Sequence, residues 1–166
     1  HINVNGNQGN DVIIMEDSIT QTTTLDGGED HDSLVGSLQK DTIMGGSGRE
    51  RMHGRGGDDA LRGGSEDDVI IGGDGSDEIR GGGGHDTISG DRAASTPILA
   101  PTVATSSGTF LFQVTPGTDF DDVIRGGPGN DFIRAMAGND YVEAGSGHDT
   151  VAGGSGLDIL FGGEGN

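Results

Sequence analysis

The sequence predicts an all-β fold, a solenoid in which short parallel strands stack coil upon coil. Three observations lead to this prediction: a nine-residue period, glycines gathered in the first half of each period, and one apolar residue near its end. Glycine accounts for 35 of the 166 residues. A fixed short period is typical of repeat architectures, so the chain is interpreted as a stack of repeats and not as an ordinary globular domain.

The composition limits the possible functions. Hydrophobic residues make up 30% of the chain, cysteine is absent, and the formal net charge is −19. Low hydrophobicity with high charge is typical of disordered chains unless something other than apolar burial stabilises the fold. Without cysteine there is no disulfide framework and no thiolate zinc site. The negative charge argues against nucleic acid as a partner, and no apolar run is long enough to insert into a membrane. Cations are the natural partners of so many carboxylates.

The period is clearest in two blocks. Seven units occupy 27–89, five occupy 117–161, and one stands alone at 6–14. Well-formed copies read GGDGSDEIR (72–80) and GGPGNDFIR (126–134). Position six is aspartate in twelve of the thirteen units, and position eight is apolar in all thirteen. These two positions therefore carry the chemistry of the repeat.

Each unit predicts a tight turn followed by a very short strand. The glycines allow positive φ angles in the turn, and one apolar residue between two variable ones indicates a three-residue strand with a single inward side chain. Two units, 18 residues, complete one coil, and neighbouring strands in a sheet lie about 4.8 Å apart. Residues that are 18 apart in sequence thus become neighbours on the same edge of the solenoid.

This stacking brings the position-six aspartates together in pairs. Such pairs repel each other unless a cation lies between them. Flexible, anionic, oxygen-only ligands favour calcium over zinc or magnesium. The five predicted pairs are Asp59–Asp77, Asp68–Asp86, Asp122–Asp140, Asp131–Asp149 and Asp140–Asp158.

The units resemble the RTX, or haemolysin-type, calcium-binding nonapeptide G-G-x-G-x-D-x-U-x. The resemblance implies a right-handed parallel β-roll in which position-six aspartates and turn carbonyls of units two repeats apart hold calcium. Besides the five pairs, the implied metal ligands include Asp32 and Asp41. The implied carbonyl donors are the turn glycines Gly73, Gly75, Gly82, Gly84, Gly127, Gly129, Gly154 and Gly156.

Two units depart from the pattern. The unit GSLQKDTIM (36–44) lacks the usual glycines at positions two and four and carries Lys40 beside Asp41. The unit GGSGRERMH (45–53) has Glu50 at position six, between two arginines. The pairs Asp32–Glu50, Glu50–Asp68 and Asp41–Asp59 are therefore weaker candidates. Five firm pairs with these three give a predicted load of about 5 to 8 calcium ions.

Interruptions of the nine-residue period divide the chain into four parts. Residues 1–26 form a partial repeat and an interruption, 27–89 and 117–166 form two roll blocks, and 90–116 is an insertion between them. The insertion holds three prolines, and its 27 residues preserve the nine-residue phase. It predicts a surface loop over 91–107 and a strand over 109–114 that caps or rejoins the roll.

The resemblance also implies a setting: RTX repeats occur on bacterial toxins, proteases, lipases, epimerases and adhesins exported by type I secretion, and they fold on meeting calcium outside the cell. The first hypothesis is therefore a calcium-binding segment of a larger secreted or surface protein. The alternatives are an accessory module of a secreted enzyme and an adhesin-like module for an acidic polysaccharide or another partner. No H-E-x-x-H or G-x-S-x-G motif is present, and we expect no enzymatic activity from this segment.

Basic residues and histidines are assigned structural roles. The arginines between 49 and 62 are better explained as local charge balance than as a docking patch. His31, His85 and His148 each precede a position-six aspartate. We expect them to be exposed side chains and not metal ligands.

Overall fold

A computed structural model describes residues 1–91 and 120–165, and within them the chain is all β. No helix in this part of the chain could cross a membrane. The fifteen strands are β1 Ile2–Gln8, β2 Val12–Ile14, β3 Thr23–Glu29, β4 Ser33–Val35, β5 Asp41–Ser47, β6 Arg51–Gly56, β7 Ala60–Ser65, β8 Val69–Asp74, β9 Glu78–Gly83, β10 Thr87–Asp91, β11 Val123–Pro128, β12 Phe132–Ala137, β13 Tyr141–Ser146, β14 Thr150–Ser155 and β15 Ile159–Phe161. The predicted all-β solenoid is confirmed.

The strands form two parallel sheets. The odd-numbered strands make an eight-stranded sheet in the order β1-β3-β5-β7-β9-β11-β13-β15, and the even-numbered strands make a seven-stranded sheet. We call them the odd sheet and the even sheet. Because the chain alternates between them, each coil contributes one strand to each sheet, which is the architecture of a parallel β-roll.

The register confirms the predicted 18-residue coil. Leu61 lies opposite Ile79, for example, and Gly64 lies opposite Gly82. The offset is larger in four strand pairs: 21 residues for β1–β3 and β2–β4, and 45 residues for β9–β11 and β10–β12. Extra residues are therefore accommodated at the turns while the stack itself continues.

The prediction of three-residue strands is wrong for most of the roll. A typical strand has six residues and continues into the first three positions of the next unit, as in β9. Position one is buried there, and glycine fits because a Cβ on Gly81 would overlap Asp86 Oδ2 and lie 2.8 Å from the Gly126 carbonyl oxygen. The glycine at position one thus serves as a second inward strand residue, which a turn-based interpretation misses.

The core is a thin row of side chains between the two sheets. It consists mainly of the position-eight residues, whose burial is complete or nearly so in the middle of the roll. Leu160 in the last strand is 46% exposed. The buried members at position eight are Leu25, Leu34, Ile43, Met52, Leu61, Ile70, Ile79, Ile88, Ile124, Ile133 and Val142.

The two predicted blocks form one continuous roll. Strand β10 pairs with β12, and β9 pairs with β11, across the insertion. A Cβ on Gly90 would overlap Asp122 Oδ2, just as one on Gly72 would overlap Asp77 Oδ2. Gly90 therefore occupies position one of the turn that ends at Asp122, and the extra residues enter inside this turn, after Asp91. The surface loop predicted over 91–107 is wrong at its first residue, since Asp91 ends strand β10. The rest of that loop, the predicted strand over 109–114 and the block start at Gly117 lie outside the described residues.

The N-terminal interruption is largely part of the roll. Residues 18–26 follow the phase of the repeat, with Thr23 at position six and the buried Leu25 at position eight. The three residues 15–17 explain the 21-residue offset of the first coil. Arg55 holds this segment, because its Nη1 donates to the Met15 carbonyl oxygen at 3.2 Å and its guanidinium pairs with Asp17.

Candidate metal sites

The position-six residues stack in two columns, one at each edge of the roll. Each column consists of the residues that open or directly precede the strands of one sheet, and nearly all of them are buried. The odd column contains Thr23, Asp41, Asp59, Asp77, Asp122, Asp140 and Asp158, and the even column contains Asp11, Asp32, Glu50, Asp68, Asp86, Asp131 and Asp149.

Backbone hydrogen bonds link each column from coil to coil. The N–H of one aspartate donates to Oδ1 of the aspartate in the following coil, as from Asp59 to Asp77 at 2.9 Å. All five predicted pairs make this bond, at 2.9 to 3.1 Å. The structure therefore brings together the residues that the 18-residue spacing predicts, through a bond that the sequence analysis did not anticipate.

The weaker candidates Asp41–Asp59 and Glu50–Asp68 make the same bond, at 2.8 and 2.9 Å. Three pairs outside the prediction make it at 2.8 Å. They are Asp77–Asp122, Asp86–Asp131 and Asp11–Asp32. The 18-residue spacing does not predict these pairs, because their members are 45 or 21 residues apart. The length of the insertion, a multiple of nine, was the signal that could have revealed the first two.

The second carboxylate oxygen of these aspartates is left without a protein donor. Asp59 and Asp77 are each 2% exposed, and their Oδ2 atoms have no hydrogen-bond partner among the described residues. An unpaired buried carboxylate oxygen is unfavourable, so it indicates a site for positive charge. The same holds for Oδ2 of Asp11, Asp32, Asp68, Asp86, Asp131 and Asp140.

Backbone carbonyls supply further oxygens at both edges. Gly75 has a φ of 135°, and a Cβ there would overlap the Gly57 carbonyl oxygen of the preceding coil. This carbonyl therefore points along the stack toward the next turn. The glycines predicted as carbonyl donors all have positive φ, between 116° and 151°: Gly73, Gly75, Gly82, Gly84, Gly127, Gly129, Gly154 and Gly156.

The donor set suits a hard cation. Carboxylate and carbonyl oxygens are the ligands that calcium prefers. Within residues 1–91 and 120–165, no three histidine or acidic side chains converge in a metal-binding group. Any ion bound at these edges must therefore take much of its coordination from turn carbonyls.

Burial makes these carboxylates difficult to ionise in the protein alone. Burial, with a contribution from the charge of Asp77, raises the pKa of Asp59 to about 8 although the Asp41 N–H bond opposes the shift. Burial likewise raises the pKa of Asp77 and of Asp86 to about 7. A cation would favour their ionised forms.

The comparison with protein families decides the assignment. The family model of the RTX calcium-binding nonapeptide repeat, with four copies, matches residues 26–61, 53–88, 62–95, 116–151 and 143–166. The matched residues make up well over half of the chain. The chain belongs to the RTX repeat family. A search among curated proteins finds no match, so the assignment depends on the repeat itself.

In one turn of the RTX roll, both oxygens of the position-six carboxylate accept hydrogen bonds from the protein. We call this the closed turn, and we call a turn open where the second carboxylate oxygen has no donor. Asp41 Oδ2 accepts from the Ser37 backbone N–H at 2.6 Å and from Ser37 Oγ at 3.0 Å. Asp41 Oδ1 accepts from the Thr23 N–H at 2.9 Å and from Thr23 Oγ1 at 2.7 Å. No residue of 36–41 has a positive φ. The sequence predicts Asp41 as a metal ligand, but here both of its oxygens already have donors, and serine at position two was the overlooked signal.

The charged and imidazole side chains around the RTX turns have structural roles. Arg49 Nη2 lies 3.5 Å from Asp67 Oδ2, which fits local charge balance. The predicted exposure of His31, His85 and His148 is confirmed. His31 Nδ1 accepts the Arg49 backbone N–H at 2.9 Å, so this histidine links neighbouring coils.

Proposed function

We propose that this RTX chain is a calcium-dependent structural module whose fold is completed by ions held in the two position-six columns. The buried second oxygen of the column aspartates is the observation that carries the proposal. Calcium bound there would supply the positive charge that balances these carboxylates. Because only the folded chain brings the aspartates of successive coils together, binding stabilises that state, by about 2.7 kcal/mol per site at a free concentration 100 times the dissociation constant.

The ligands in the proposed sites come from two coils at a time. Aspartates such as Asp59, Asp77 and Asp86 keep Oδ1 on the backbone of the preceding coil and offer Oδ2. Backbone carbonyls such as those of Arg55 and Gly57 point along the stack toward the positive-φ glycines Gly73 and Gly75 of the next coil. The five predicted pairs and the three further pairs then make eight sites formed by aspartates alone. This number is at the upper end of the predicted range of 5 to 8.

The same chemistry suggests where the module works. A chain of net charge −19 with a thin apolar core depends on cations for its fold, and the raised pKa values of Asp59 and Asp77 disfavour the ion-free roll at neutral pH. We propose that the chain stays unfolded where calcium is scarce and folds at the millimolar calcium of the exterior, as a secreted or cell-surface module of a toxin or adhesin. Its own role is structural and not catalytic.

A calcium titration followed by far-UV circular dichroism tests the proposal. We expect a coil-like spectrum in chelator and a β-rich spectrum once calcium is added, with no such change at an equal concentration of magnesium. A spectrum that is β-rich in chelator and insensitive to calcium would refute the proposal.

A further inference from the structure

Glu50 is the one glutamate in the two position-six columns of the described residues. It is 1% exposed, and neither of its carboxylate oxygens accepts a hydrogen bond from an N–H or hydroxyl group of the described residues. Its carboxyl group interacts with that of Asp68 in the next coil. An aspartate such as Asp68 uses Oδ1 to accept a backbone N–H, that of Glu50, at 2.9 Å, and leaves only Oδ2 without a donor. Glu50 therefore offers two buried oxygens where its neighbours offer one.

The extra methylene places this carboxylate deeper in its own turn. A Cβ on Gly45 would lie 3.0 Å from Glu50 Oε2, and one on Gly48 would lie 3.0 Å from Glu50 Oε1. The Cβ on Gly48 would also overlap the Asp30 carbonyl oxygen of the preceding coil. Both carboxylate oxygens thus lie along the inside of the turn. Glu50 Oε1 and the Asp30 carbonyl oxygen lie on the same side of Gly48.

The nearby arginines do not balance the charge of Glu50. Arg49 is 67% exposed and lies against Asp67. Arg51 is exposed, and none of the ion pairs within the described part of the chain includes Glu50. Above and below it in the even column, Asp68 and Asp32 each have an Oδ2 without a donor. The surroundings of Glu50 are therefore rich in oxygen and lack a protein cation.

We propose that Glu50 chelates a calcium ion with both carboxylate oxygens, in a site completed by the Asp30 carbonyl and the neighbouring carboxylates of the even column. Two-oxygen chelation by a glutamate is an established way to hold calcium, and its flexible geometry suits calcium better than magnesium. This inference depends on the proposed function and adds to it a site whose ligand departs from the nonapeptide pattern. The substitution of glutamate for aspartate then changes the type of site and does not abolish it.

Isothermal titration calorimetry with calcium chloride tests the assignment through the number of ions bound. We expect Glu50→Gln to bind at least one ion fewer than the wild type, and Glu50→Asp, which restores the usual ligand, to keep the wild-type number. Glu66→Gln is the matched control, since it removes the same charge from an exposed glutamate one coil further along the same edge. It should bind the full number.

Infrared spectroscopy of protein labelled with ¹³C at the glutamate carboxylates provides a second measurement on the wild type. We expect calcium, and not magnesium, to shift a glutamate carboxylate band toward the position of a chelating carboxylate. If Glu50→Gln binds as many ions as the wild type, or if no glutamate band responds while calcium loads, the Glu50 site is refuted and the aspartate sites stand. If the wild type binds no calcium, the proposed function itself fails.

Discussion

Two successive turns of the odd column contrast a closed carboxylate with an open one. Asp41 and Asp59 occupy the same position, one coil apart, and the Asp41 N–H donates to Asp59 at 2.8 Å. Asp41 has both oxygens satisfied by Thr23 and Ser37, whereas Asp59 Oδ2 has no donor among the described residues. The contrast teaches that a buried edge carboxylate can be stabilised by hydroxyl and amide donors of the chain or left for a cation.

The side chain at position two distinguishes the two turns. Ser37 closes its turn with a hydroxyl and a backbone N–H, and its backbone avoids positive φ. Arg55, at position two of the next turn in this column, has a φ of 85° and directs its guanidinium away to Met15 and Asp17. Because the Arg55 side chain contacts Met15 and Asp17, it donates no hydrogen bond within its own turn, and Asp59 Oδ2 has no donor among the described residues.

Acidification should have the largest effect, because several open carboxylates respond together. Burial raises the pKa of Asp59, Asp77 and Asp86 in the folded chain to about 8, 7 and 7, well above the ordinary aspartate value. Between about pH 4 and 8 the folded chain therefore holds more protons than the unfolded chain, and the free energy of unfolding of the ion-free roll falls as pH rises. In calcium-stripped buffer, we expect the β signal in circular dichroism to grow as pH is lowered from 8 toward 4.

Calcium should reverse this dependence, because the ion binds the ionised form and protons compete with it. With subsaturating calcium, folding should therefore improve as pH rises. An ion-free roll that loses structure on acidification would contradict the raised pKa values.

Removing the donors of the closed turn should have the next largest effect. Thr23→Val with Ser37→Ala leaves Asp41 with only the two backbone donors. We expect the free energy of unfolding in saturating calcium to fall by about 1–3 kcal/mol for each hydroxyl removed, measured by urea denaturation. Thr42→Val, at an exposed site of β5, is the control and should change it by less than about 0.5 kcal/mol. Equal effects of the control and the double variant would show that the hydroxyls do not stabilise Asp41.

Converting the closed turn into an open one should have a smaller effect on stability but a visible one on stoichiometry. Ser37→Gly with Gln39→Gly restores the glycines at positions two and four and removes the hydroxyl donor. We expect this variant to bind one calcium ion more than the wild type in equilibrium dialysis. An unchanged number would mean that more than Ser37 and Gln39 keeps the turn closed.

Much of the fold follows from the sequence because the period sets the geometry directly. A nine-residue repeat with one aspartate and one apolar residue determines the coil, the pairing of residues such as Leu61 and Ile79, and the columns of carboxylates. The strand lengths were wrong because glycine at position one, as at Gly81, packs inward as a strand residue. The sequence alone does not distinguish a glycine that a turn requires from a glycine that packs inside a strand.

The details of the sites were less predictable because they depend on contacts between coils. Thr23 reaches Asp41 because residues 18–26 keep the phase of the repeat without its glycines or its position-six aspartate, so that a threonine stands one coil before Asp41. Likewise, the completion of the Asp122 turn by Gly90 depends on where the insertion leaves and re-enters the roll. Neither the Thr23 contact nor the Gly90 arrangement is visible within a single nonapeptide, whereas the Ser37 contact is local to the unit 36–44.

The calcium stoichiometry of two matched variants in the odd column tests the central claim most directly. Asp77→Asn and Asp41→Asn remove the same charge from buried position-six residues, but only Asp77 has an oxygen without a protein donor. By equilibrium dialysis, we expect Asp77→Asn to bind at least one ion fewer than the wild type and Asp41→Asn to bind the same number. An equal loss of ions from both variants, or from neither, would contradict the distinction between open and closed turns.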